Sequence, residues 1–264
     1  MASQASLLVS QFWPPWKTID RRSSQRQMLK QSLAEINSAF PQLASVKSCA
    51  MIGCGNGDLD VEFVCGCLPN VTQLAAVEPD AEQMAELKTR VGELLPHVST
   101  EFYRETAESW KVAADQPFDV VLLFHCLYYV RQPDRPALLK KLFDGVVAAG
   151  GLAFVLVSPY DFENPSKFDT LKYSLKREPW RKSIVFDGVE VRERMTVAGF
   201  RECYQLPIKF EVDMQEPDDD LMALLIFLNE GRLSYEQVRK EAKQIINGKK
   251  YLPHESWFGV FRKP

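Results

Sequence analysis

A short glycine-rich stretch constrains the fold of this chain more than any other part of the sequence. From Val46 to Asp58 it reads VKSCAMIGCGNGD, so an apolar run stops abruptly at Gly53, Gly55 and Gly57. Glycine permits positive φ angles, and it lets a flat ligand lie against the main chain where a Cβ would collide. The pattern predicts a strand, a glycine turn and the start of a helix, with a nucleoside cofactor at the turn.

The glycine spacing is G-x-G-x-G, whereas the dinucleotide fingerprint G-x-G-x-x-G would need glycine at position 58. A nucleoside site in such a fold also expects an acidic residue about 20 residues later, at the end of the next strand. Residues 72–77 read as that strand, and Glu78 follows, with Pro79 preventing its continuation. A carboxylate there can accept hydrogen bonds from both ribose hydroxyls. The alternative is a glutamate that only caps a solvated turn.

Strand and helix patterns then alternate along the chain. Besides the strand before the glycines, strands are predicted at 72–77, 98–103, 118–124, 152–158, 200–212 and 256–262, and helices at 23–40, 59–66, 80–95, 135–147, 189–198, 218–229 and 234–247. Asp80 is expected to be an N-cap. Five consecutive strand–helix repeats predict an α/β fold with a doubly wound parallel sheet and helices on both faces.

A chain of 264 residues could hold one large α/β domain or two small ones, and the continuous pattern of strands and helices favours one. We divide residues 1–264 into an N-terminal helical flank or lid (1–45), a cofactor-binding core (46–158) and an elaborated substrate-side region with the closing strands (159–264). The net charge of −3 argues against a dedicated nucleic-acid binder. No signal peptide or membrane anchor is recognisable, so the six cysteines are expected to stay reduced in the cytoplasm. Their spacing predicts no metal site.

One histidine stands where ligands bind in open α/β sheets. His125 directly follows the apolar strand 118–124, at the carboxyl edge of the predicted sheet. It could accept a proton or orient an acceptor nitrogen, and a hydrogen-bonded core histidine is the alternative. Tyr128 and Tyr129 come next, and one is expected to pack inward while the other faces the pocket.

Taken together, the motifs resemble the class I S-adenosylmethionine-dependent methyltransferases, which have a G-x-G-x-G loop after the first strand and an acid after the second. Within that superfamily the chain looks like the histamine N-methyltransferase family, through VEPDAEQMAELK (77–88), RETAESW (104–110) and FDVVLLFHCLYYV (118–130). The resemblance implies a seven-stranded, mostly parallel sheet whose last strand is antiparallel. It also implies S-adenosyl-L-methionine as the cofactor.

The resemblance assigns cofactor contacts residue by residue. The glycine loop lies at the methionine part, Glu78 at the ribose, and Gln83 at the end of the same site; Thr106 and Ala107 flank the adenine, and Phe124 lines the cofactor. The implied cofactor-binding set is Gly53, Cys54, Gly55, Gly57, Glu78, Gln83, Thr106, Ala107 and Phe124. Ala107 departs from the family, which commonly has a hydroxyl residue there.

The implied substrate positions depart further. The glutamate that holds the amine in the family corresponds to Gln25, an amide corresponds to His125, and an asparagine falls opposite His254 or Glu255, while Tyr129 is kept. His125 and Tyr129 are the predicted catalytic residues. Loss of the amine-binding carboxylate favours a related aromatic amine or an imidazole-containing molecule over histamine itself.

The sequence therefore predicts a cytoplasmic, monomeric enzyme that methylates a small nitrogenous molecule without a metal, a membrane or nucleic acid. An RNA or protein methyltransferase is the alternative suggested by the basic aromatic stretch KYSLKREPWRKS at 172–183, although a solvated insertion also explains that run. A catalytically inactive homologue that serves as a binding protein is the third possibility. The N-terminal aromatics Phe12, Trp13 and Trp16 either complete an aromatic wall or simply pack.

Overall fold

The computed structural model describes residues 22–112, 116–157, 188–215 and 248–264, with five further positions between 236 and 244. Several sequence predictions lie outside the described residues: Phe12, Trp13 and Trp16, the basic stretch 172–183, the helix 218–229 and most of the helix 234–247.

The described residues fall into two compact units. The larger contains 30–112, 116–157, 188–207 and 257–264, and the smaller contains 22–29, 208–215 and 248–256. The glycine loop and Glu78 belong to the larger unit. The organisation as one domain with three parts stays a prediction.

In the described part of the chain, seven strands form one sheet in the order β3-β2-β1-β4-β5-β7-β6. The strands are β1 Ser48–Ile52, β2 Gln73–Val77, β3 Ser99–Tyr103, β4 Phe118–Phe124, β5 Val147–Val157, β6 Arg201–Asp213 and β7 Tyr251–Arg262, and the helices are α1 Gln25–Ala39, α2 Asp58–Cys67, α3 Ala81–Leu94, α4 Arg135–Lys141 and α5 Gly188–Ala198. Strands β1 to β5 pair in parallel, and β7 runs antiparallel to β5. The predicted fold class is confirmed.

The central strands are apolar, as expected for parallel strands whose two faces are both buried. β1 lies between β2 and β4, with Ala50 opposite both Ala75 and Val121, and all three side chains are buried. The edge strand β3 is only partly buried. Parallel pairing of β1, β2 and β4 brings their carboxyl ends to one edge of the sheet.

Two boundaries after β4 differ from the prediction. The helix expected at 135–147 ends at Lys141 and is followed by a π-helical turn, Leu142–Val146. β5 begins at Val147 rather than at residue 152, and the register shifts between Phe118 and Val120 of β4. Gly150, at φ +75°, lets the strand bend there, and its N–H donates to the Lys263 carbonyl at 3.0 Å. This long-range pairing extends β5.

The closing strand is also longer than expected. The sequence predicts it at 256–262, whereas β7 begins at Tyr251. Leu252, His254 and Ser256 alternate as buried residues along its first half. Two of these three side chains are polar, so their alternation carries no apolar signal in the sequence.

Aromatic rings form the core between α2 and the sheet in the larger unit. Phe63 of α2 is fully buried, and its ring centroid lies 4.8 Å from Phe154, 5.6 Å from Phe124 and 6.3 Å from Phe258. These rings belong to α2, β4, β5 and β7. Phe63 therefore fixes the helix that follows the glycine loop. Within the described residues, no helix is long and apolar enough to cross a membrane.

Replacing Phe63 by alanine should lower the free energy of unfolding by about 3–5 kcal/mol, because the change removes its ring contacts and leaves a cavity. Urea denaturation followed by circular dichroism measures the effect. Val197→Ala is the control, since Val197 is 86% exposed on α5 and should change stability by less than about 0.5 kcal/mol. Equal effects of the two substitutions would contradict this account of the core.

Candidate functional site

The glycine loop lies where the carboxyl ends of β1 and β2 meet. Ile52 pairs with Val77 as the last pair of the two strands, and the Gly53 N–H donates to the Val77 carbonyl at 2.7 Å. Gly53 and Gly57 have φ angles of +62° and +77°. A Cβ at Gly53 would lie 2.5 Å from the Cβ of Cys126, so the loop needs glycine there both for its conformation and for space.

Glu78 is buried beside this loop, with 5% of its surface exposed. Its Oε2 accepts from the Gly55 N–H at 2.9 Å, and its Oε1 accepts from the Asp80 N–H at 2.9 Å. Burial raises the pKa of the Glu78 carboxyl, and these two backbone N–H groups oppose the rise. Each carboxylate oxygen can accept a second hydrogen bond, so the group can still take donors from a ligand. Glu78 does not point into bulk water.

Asp80 is the N-cap of α3, as predicted. Its Oδ1 accepts from the N–H groups of Glu82 and Gln83, both at 3.0 Å. The cap fixes the first turn of α3, and Gln83 in that turn is 1% exposed. The Gln83 Oε1 lies 3.4 Å from the position that a Cβ on Gly55 would take. The structure thus brings Gln83 against the glycine loop and Glu78.

Two buried oxygen atoms near the loop have no hydrogen-bond partner among the described residues. They are Gln83 Oε1 and Asp60 Oδ1. Asp60, in the first turn of α2, is 2% exposed. Buried polar atoms are normally paired, so each exception needs an explanation, and a bound ligand is one. Sequence reasoning missed Asp60, although its four- and seven-residue spacing from Val64 and Cys67 places it on the apolar face of α2.

Thr106 and Ala107 lie in the turn after β3, and both are partly buried. The Thr106 Oγ1 accepts from the Ser109 N–H at 3.3 Å. Lys141 of α4 donates from its Nζ to the carbonyl of Ala107 at 2.9 Å and also to that of Trp110. Lys141, a residue that sequence reasoning did not single out, therefore holds this turn in place.

Phe124 and His125 end β4. The Phe124 ring packs in the aromatic core, so a cofactor contact at this position would come from its main chain. His125 has a φ of +51°, and it is the one residue other than glycine with positive φ in the described part of the chain. Its N–H donates to the Leu156 carbonyl at 2.8 Å. Its Nδ1 lies 3.3 Å from the Tyr128 hydroxyl, and the two rings stack.

Tyr129 follows on a short 3₁₀ turn, and its N–H donates to the carbonyl of Cys126. Although 36% of its surface is exposed, desolvation of the hydroxyl raises the pKa of the Tyr129 phenol, with smaller contributions from Glu78 and Cys126. The phenol therefore stays protonated at neutral pH and can donate a hydrogen bond. Its main-chain bond to Cys126, the residue whose Cβ lies against Gly53, keeps it near the glycine loop.

The other predicted substrate residues lie in the smaller unit. Gln25 and Ser256 are buried, and the Gln25 Nε2 donates to the Ser256 Oγ at 2.8 Å. His254 is 5% exposed and packs edge-on against Phe210 at a centroid distance of 5.0 Å. Glu255 lies between His254 and Ser256 in β7, and its side chain is partly exposed. The structure thus groups Gln25 with Ser256, a residue that the sequence analysis did not assign.

A family model described as a methyltransferase domain matches residues 24–205. The chain belongs to this methyltransferase family. Among the curated proteins, none matches it in sequence.

Solved structures share the fold of this methyltransferase at low sequence identity. A Bacillus halodurans protein, named only as a candidate methyltransferase, is 13% identical with a TM-score of 0.60, over 89% of this chain and 99% of that one. Magnesium protoporphyrin IX methyltransferase from Synechocystis, with S-adenosylmethionine bound, is 10% identical with a TM-score of 0.56, over 100% and 99%. Geranyl diphosphate methyltransferase, also in complex with S-adenosylmethionine, is 10% identical with a TM-score of 0.54, over 89% and 85%.

The family model makes this chain a methyltransferase, and S-adenosyl-L-methionine, the predicted cofactor, is the molecule bound in two of the solved structures that share its fold. Its residues fit that molecule. Glu78 has acceptor capacity for the two ribose hydroxyls, and the absence of a side chain at Gly55 leaves space beside the loop, where the Gln83 Oε1 lies 3.4 Å from the position of a Cβ. Gln83 Oε1 and Asp60 Oδ1 are buried acceptors that a ligand with N–H or O–H donors would satisfy. The predicted cofactor-binding residues, Glu78 and the glycines included, stay predictions.

Removal of the Glu78 carboxyl should abolish cofactor binding in practice. Hydrogen bonds to a charged group contribute about 1.5–3 kcal/mol each, so loss of two ribose contacts should weaken binding by about 100-fold or more. Calorimetric titration of Glu78→Ala with S-adenosylhomocysteine measures this. Glu82→Ala is the control, because the exposed Glu82 lies on the same helix and should leave affinity within about twofold. Unchanged affinity in Glu78→Ala would mean that the ribose lies elsewhere.

The buried carboxyl of Asp60 predicts a pH-dependent stability. Burial, with a smaller effect of Glu78, raises the pKa of Asp60 well above its usual value, so its contribution to stability is present at low pH and is lost as pH rises through the raised pKa. Asp60→Asn, which stays neutral, should therefore raise the melting temperature of the ligand-free protein at pH 8 by about 2 °C or more. The gain should shrink as pH falls toward about 4.

Differential scanning fluorimetry between these pH values tests the expectation. Asp58→Asn is the matched control, since Asp58 lies in the same first turn of α2 and pairs with Arg90 at 2.5 Å. It should not stabilise the protein at pH 8. A melting temperature for Asp60→Asn that lies below that of the wild type at every pH would contradict the prediction.

Proposed function

We propose that this methyltransferase transfers the methyl group to a nitrogen atom of a small amine or imidazole-containing molecule, as the resemblance to the histamine N-methyltransferase family suggests. The observation that carries the proposal is the conformation and place of His125. Its φ of +51° lies in the left-handed region, at the carboxyl edge of β4. In open α/β sheets this edge is where ligands bind.

A side chain held in the left-handed region generally carries a cost of about 1–3 kcal/mol, and such residues cluster at active sites and ligand clamps. Histidine tolerates this conformation better than most residues do. The surrounding structure enforces it here, because β5 fixes the His125 N–H through the Leu156 carbonyl. This strain supports a role for His125 in binding or catalysis rather than in packing.

Tyr128 orients the imidazole of His125. Its hydroxyl is 3.3 Å from Nδ1, and stacking at an interplanar angle of 21° limits ring rotation. Held in this way, His125 can orient an acceptor nitrogen. It can also take the proton that the methylated product loses, which leaves from the methylated nitrogen of an amine or from the other ring nitrogen of an imidazole. Tyr129, protonated at neutral pH, would donate a hydrogen bond to the acceptor.

The smaller unit supports an uncharged acceptor. The buried polar groups of Gln25, Ser256 and His254 are an amide, a hydroxyl and an imidazole. None of these three buried groups is a carboxylate, whereas recognition of an alkylammonium group generally uses one; Glu255, the carboxylate among the predicted substrate residues, is partly exposed. Such groups suit an acceptor molecule that both donates and accepts hydrogen bonds, as a neutral imidazole does through its two ring nitrogens.

S-adenosylmethionine supplies an electrophilic methyl group on sulfur when it is bound. The protein contributes mainly by holding the acceptor in line, which can be worth about 7–11 kcal/mol. An imidazole with a pKa near 6.5 is mostly neutral at pH 7, whereas an alkylamine near 10.4 must first lose a proton. An imidazole acceptor therefore needs less from His125 than an alkylamine would.

We further propose that the enzyme acts as a cytoplasmic monomer on this small molecule without a nucleic-acid or membrane partner. The net charge of −3 supports the absence of nucleic acid. The basic stretch that suggests an RNA or protein substrate lies outside the described residues.

The proposal predicts methylation of a panel of imidazoles, arylalkylamines and imidazole dipeptides by the purified protein with labelled S-adenosylmethionine. For an imidazole acceptor, kcat/KM should rise with pH and level off above about 6.5, because only the neutral ring reacts. His125→Asn, which keeps tolerance for positive φ, should lower kcat/KM about 100-fold and leave cofactor affinity unchanged. Lys111→Ala is a control on an exposed position outside the site.

Three outcomes would oppose the proposal. Full activity of His125→Asn would show that His125 has no role in the reaction. Methylation of RNA or of protein, with no turnover of any small molecule, would favour that alternative class. Cofactor binding without turnover on any acceptor would point to a binding protein that has lost catalysis.

A further inference from the structure

Asp60 is a buried acid on a helix face that otherwise packs into the core. It is the third residue of α2, and Val61, Phe63 and Val64 beside it are buried too. Only 2% of Asp60 is exposed, and its Oδ1 has no hydrogen-bond partner among the described residues. Burial of a carboxyl with an unsatisfied oxygen costs stability, so Asp60 needs a purpose that packing does not supply.

Helix capping does not explain Asp60. A carboxylate in the first turn stabilises a helix through the macrodipole, and Asp58 already lies there. Asp58 is about one-fifth exposed and pairs with Arg90, so it meets this need at the surface. A second acid in the same turn, pointing inward, adds burial cost without a comparable gain.

Asp60 lies close to the glycine loop in the chain, because Gly57, the last glycine of the loop, is the N-cap of α2 and Asp60 is in the first turn of that helix. The charge of Glu78 contributes to the raised pKa of Asp60. The charge of Asp60 in turn contributes to the raised pKa values of three thiols: Cys49 in β1, Cys54 in the glycine loop and Cys126 against Gly53. Burial raises the pKa values of all three thiols, so they are neutral and do not compete with the carboxyl for a cation.

We propose that the Asp60 carboxyl accepts hydrogen bonds from the α-ammonium group of the methionine part of S-adenosylmethionine. The unsatisfied Oδ1 is an acceptor, and an ammonium group carries three N–H donors. The sulfonium carries none, and the ribose hydroxyls are matched by Glu78. Asp60 is then a residue that recognises the charged end of the donor, whichever acceptor is methylated.

Charge makes this contact strong. In the ligand-free protein, burial favours the neutral carboxyl of Asp60 through its raised pKa. A bound ammonium group favours the ionised form, because an opposite charge at short distance lowers a carboxyl pKa. Donor binding should therefore release a proton at any pH at which the carboxyl of the ligand-free protein is protonated, and the contact should weaken as pH falls.

Calorimetric titration with three ligands tests the proposal. S-adenosylmethionine and S-adenosylhomocysteine both carry the ammonium group, whereas 5′-methylthioadenosine keeps the adenosine and lacks the whole amino-acid part. Asp60→Asn should weaken the first two by about 10- to 100-fold, since one charge-assisted contact is lost, and should leave 5′-methylthioadenosine within about twofold. Asp58→Asn is the matched control, and Glu78→Gln should weaken all three ligands.

Proton release provides a second readout. Titration of S-adenosylhomocysteine in buffers of different ionisation enthalpy gives the number of protons released, and the wild type should release up to about one more than Asp60→Asn. Retained binding of 5′-methylthioadenosine by Asp60→Asn shows that this variant is folded. If Asp60→Asn does not fold, Asp60→Ser takes its place in the same titrations.

Several results would overturn the assignment. A similar loss of affinity for all three ligands in Asp60→Asn would show that Asp60 has a structural role. Unchanged affinity for all three would show that Asp60 does not contact the donor. Weakening of S-adenosylmethionine alone would assign the carboxyl to the sulfonium. None of these results bears on the proposed acceptor, because the measurements involve the donor only.

Discussion

The hydrogen bonds that Glu78 makes to the main chain organise the donor side of this protein. One carboxyl oxygen accepts from Gly55 and the other from Asp80, so the loop after β1 and the start of α3 are tied to a single side chain at the end of β2. Asp80 in turn caps α3 and fixes Gln83 in its first turn. The site is therefore shaped before the cofactor arrives, and less ordering is needed on binding.

This arrangement keeps several groups in states that a purely structural core would avoid. Asp60 Oδ1 and Gln83 Oε1 are buried without partners among the described residues, and His125 is held at positive φ. Each lowers the stability of the ligand-free protein. They lie around the carboxyl ends of β1, β2 and β4, where chemistry is expected, whereas the aromatic core around Phe63 is well packed. Such a division is typical of enzymes, in which function limits stability.

The sequence predicts the donor half of the site because its determinants are local. Glycines within a few residues fix the loop, and Glu78 and Asp80 each act on main-chain groups close in sequence or on the adjoining strand. The fold class follows from the alternating strand and helix patterns. Asp60 could have been found by the same means, since its place on the apolar face of α2 is a matter of helical period.

What the sequence does not predict depends on distant pairs. The early start of β5 requires the Gly150 contact with Lys263, and the length of β7 depends on a polar alternation that shows no hydrophobic period. The contact of Gln25 with Ser256 joins residues that are 231 positions apart. A side chain that completes a buried hydrogen bond across such a distance has no local signature, so the acceptor side was predicted only from the resemblance.

Electrostatics connects the donor with the choice of acceptor. The sulfonium of the donor is positively charged, and a protonated acceptor brought to the distance of methyl transfer would repel it in a site of low dielectric constant. A neutral nitrogen with an available lone pair avoids that repulsion and is also the form that reacts. Gln25 and Ser256 offer buried, uncharged hydrogen-bonding groups. The acids Asp60 and Glu78, in contrast, are buried with the glycine loop. Acids beside the glycine loop favour binding of a cation there once they are ionised, and the buried side chains of Gln25 and Ser256 carry no charge that would stabilise a protonated acceptor.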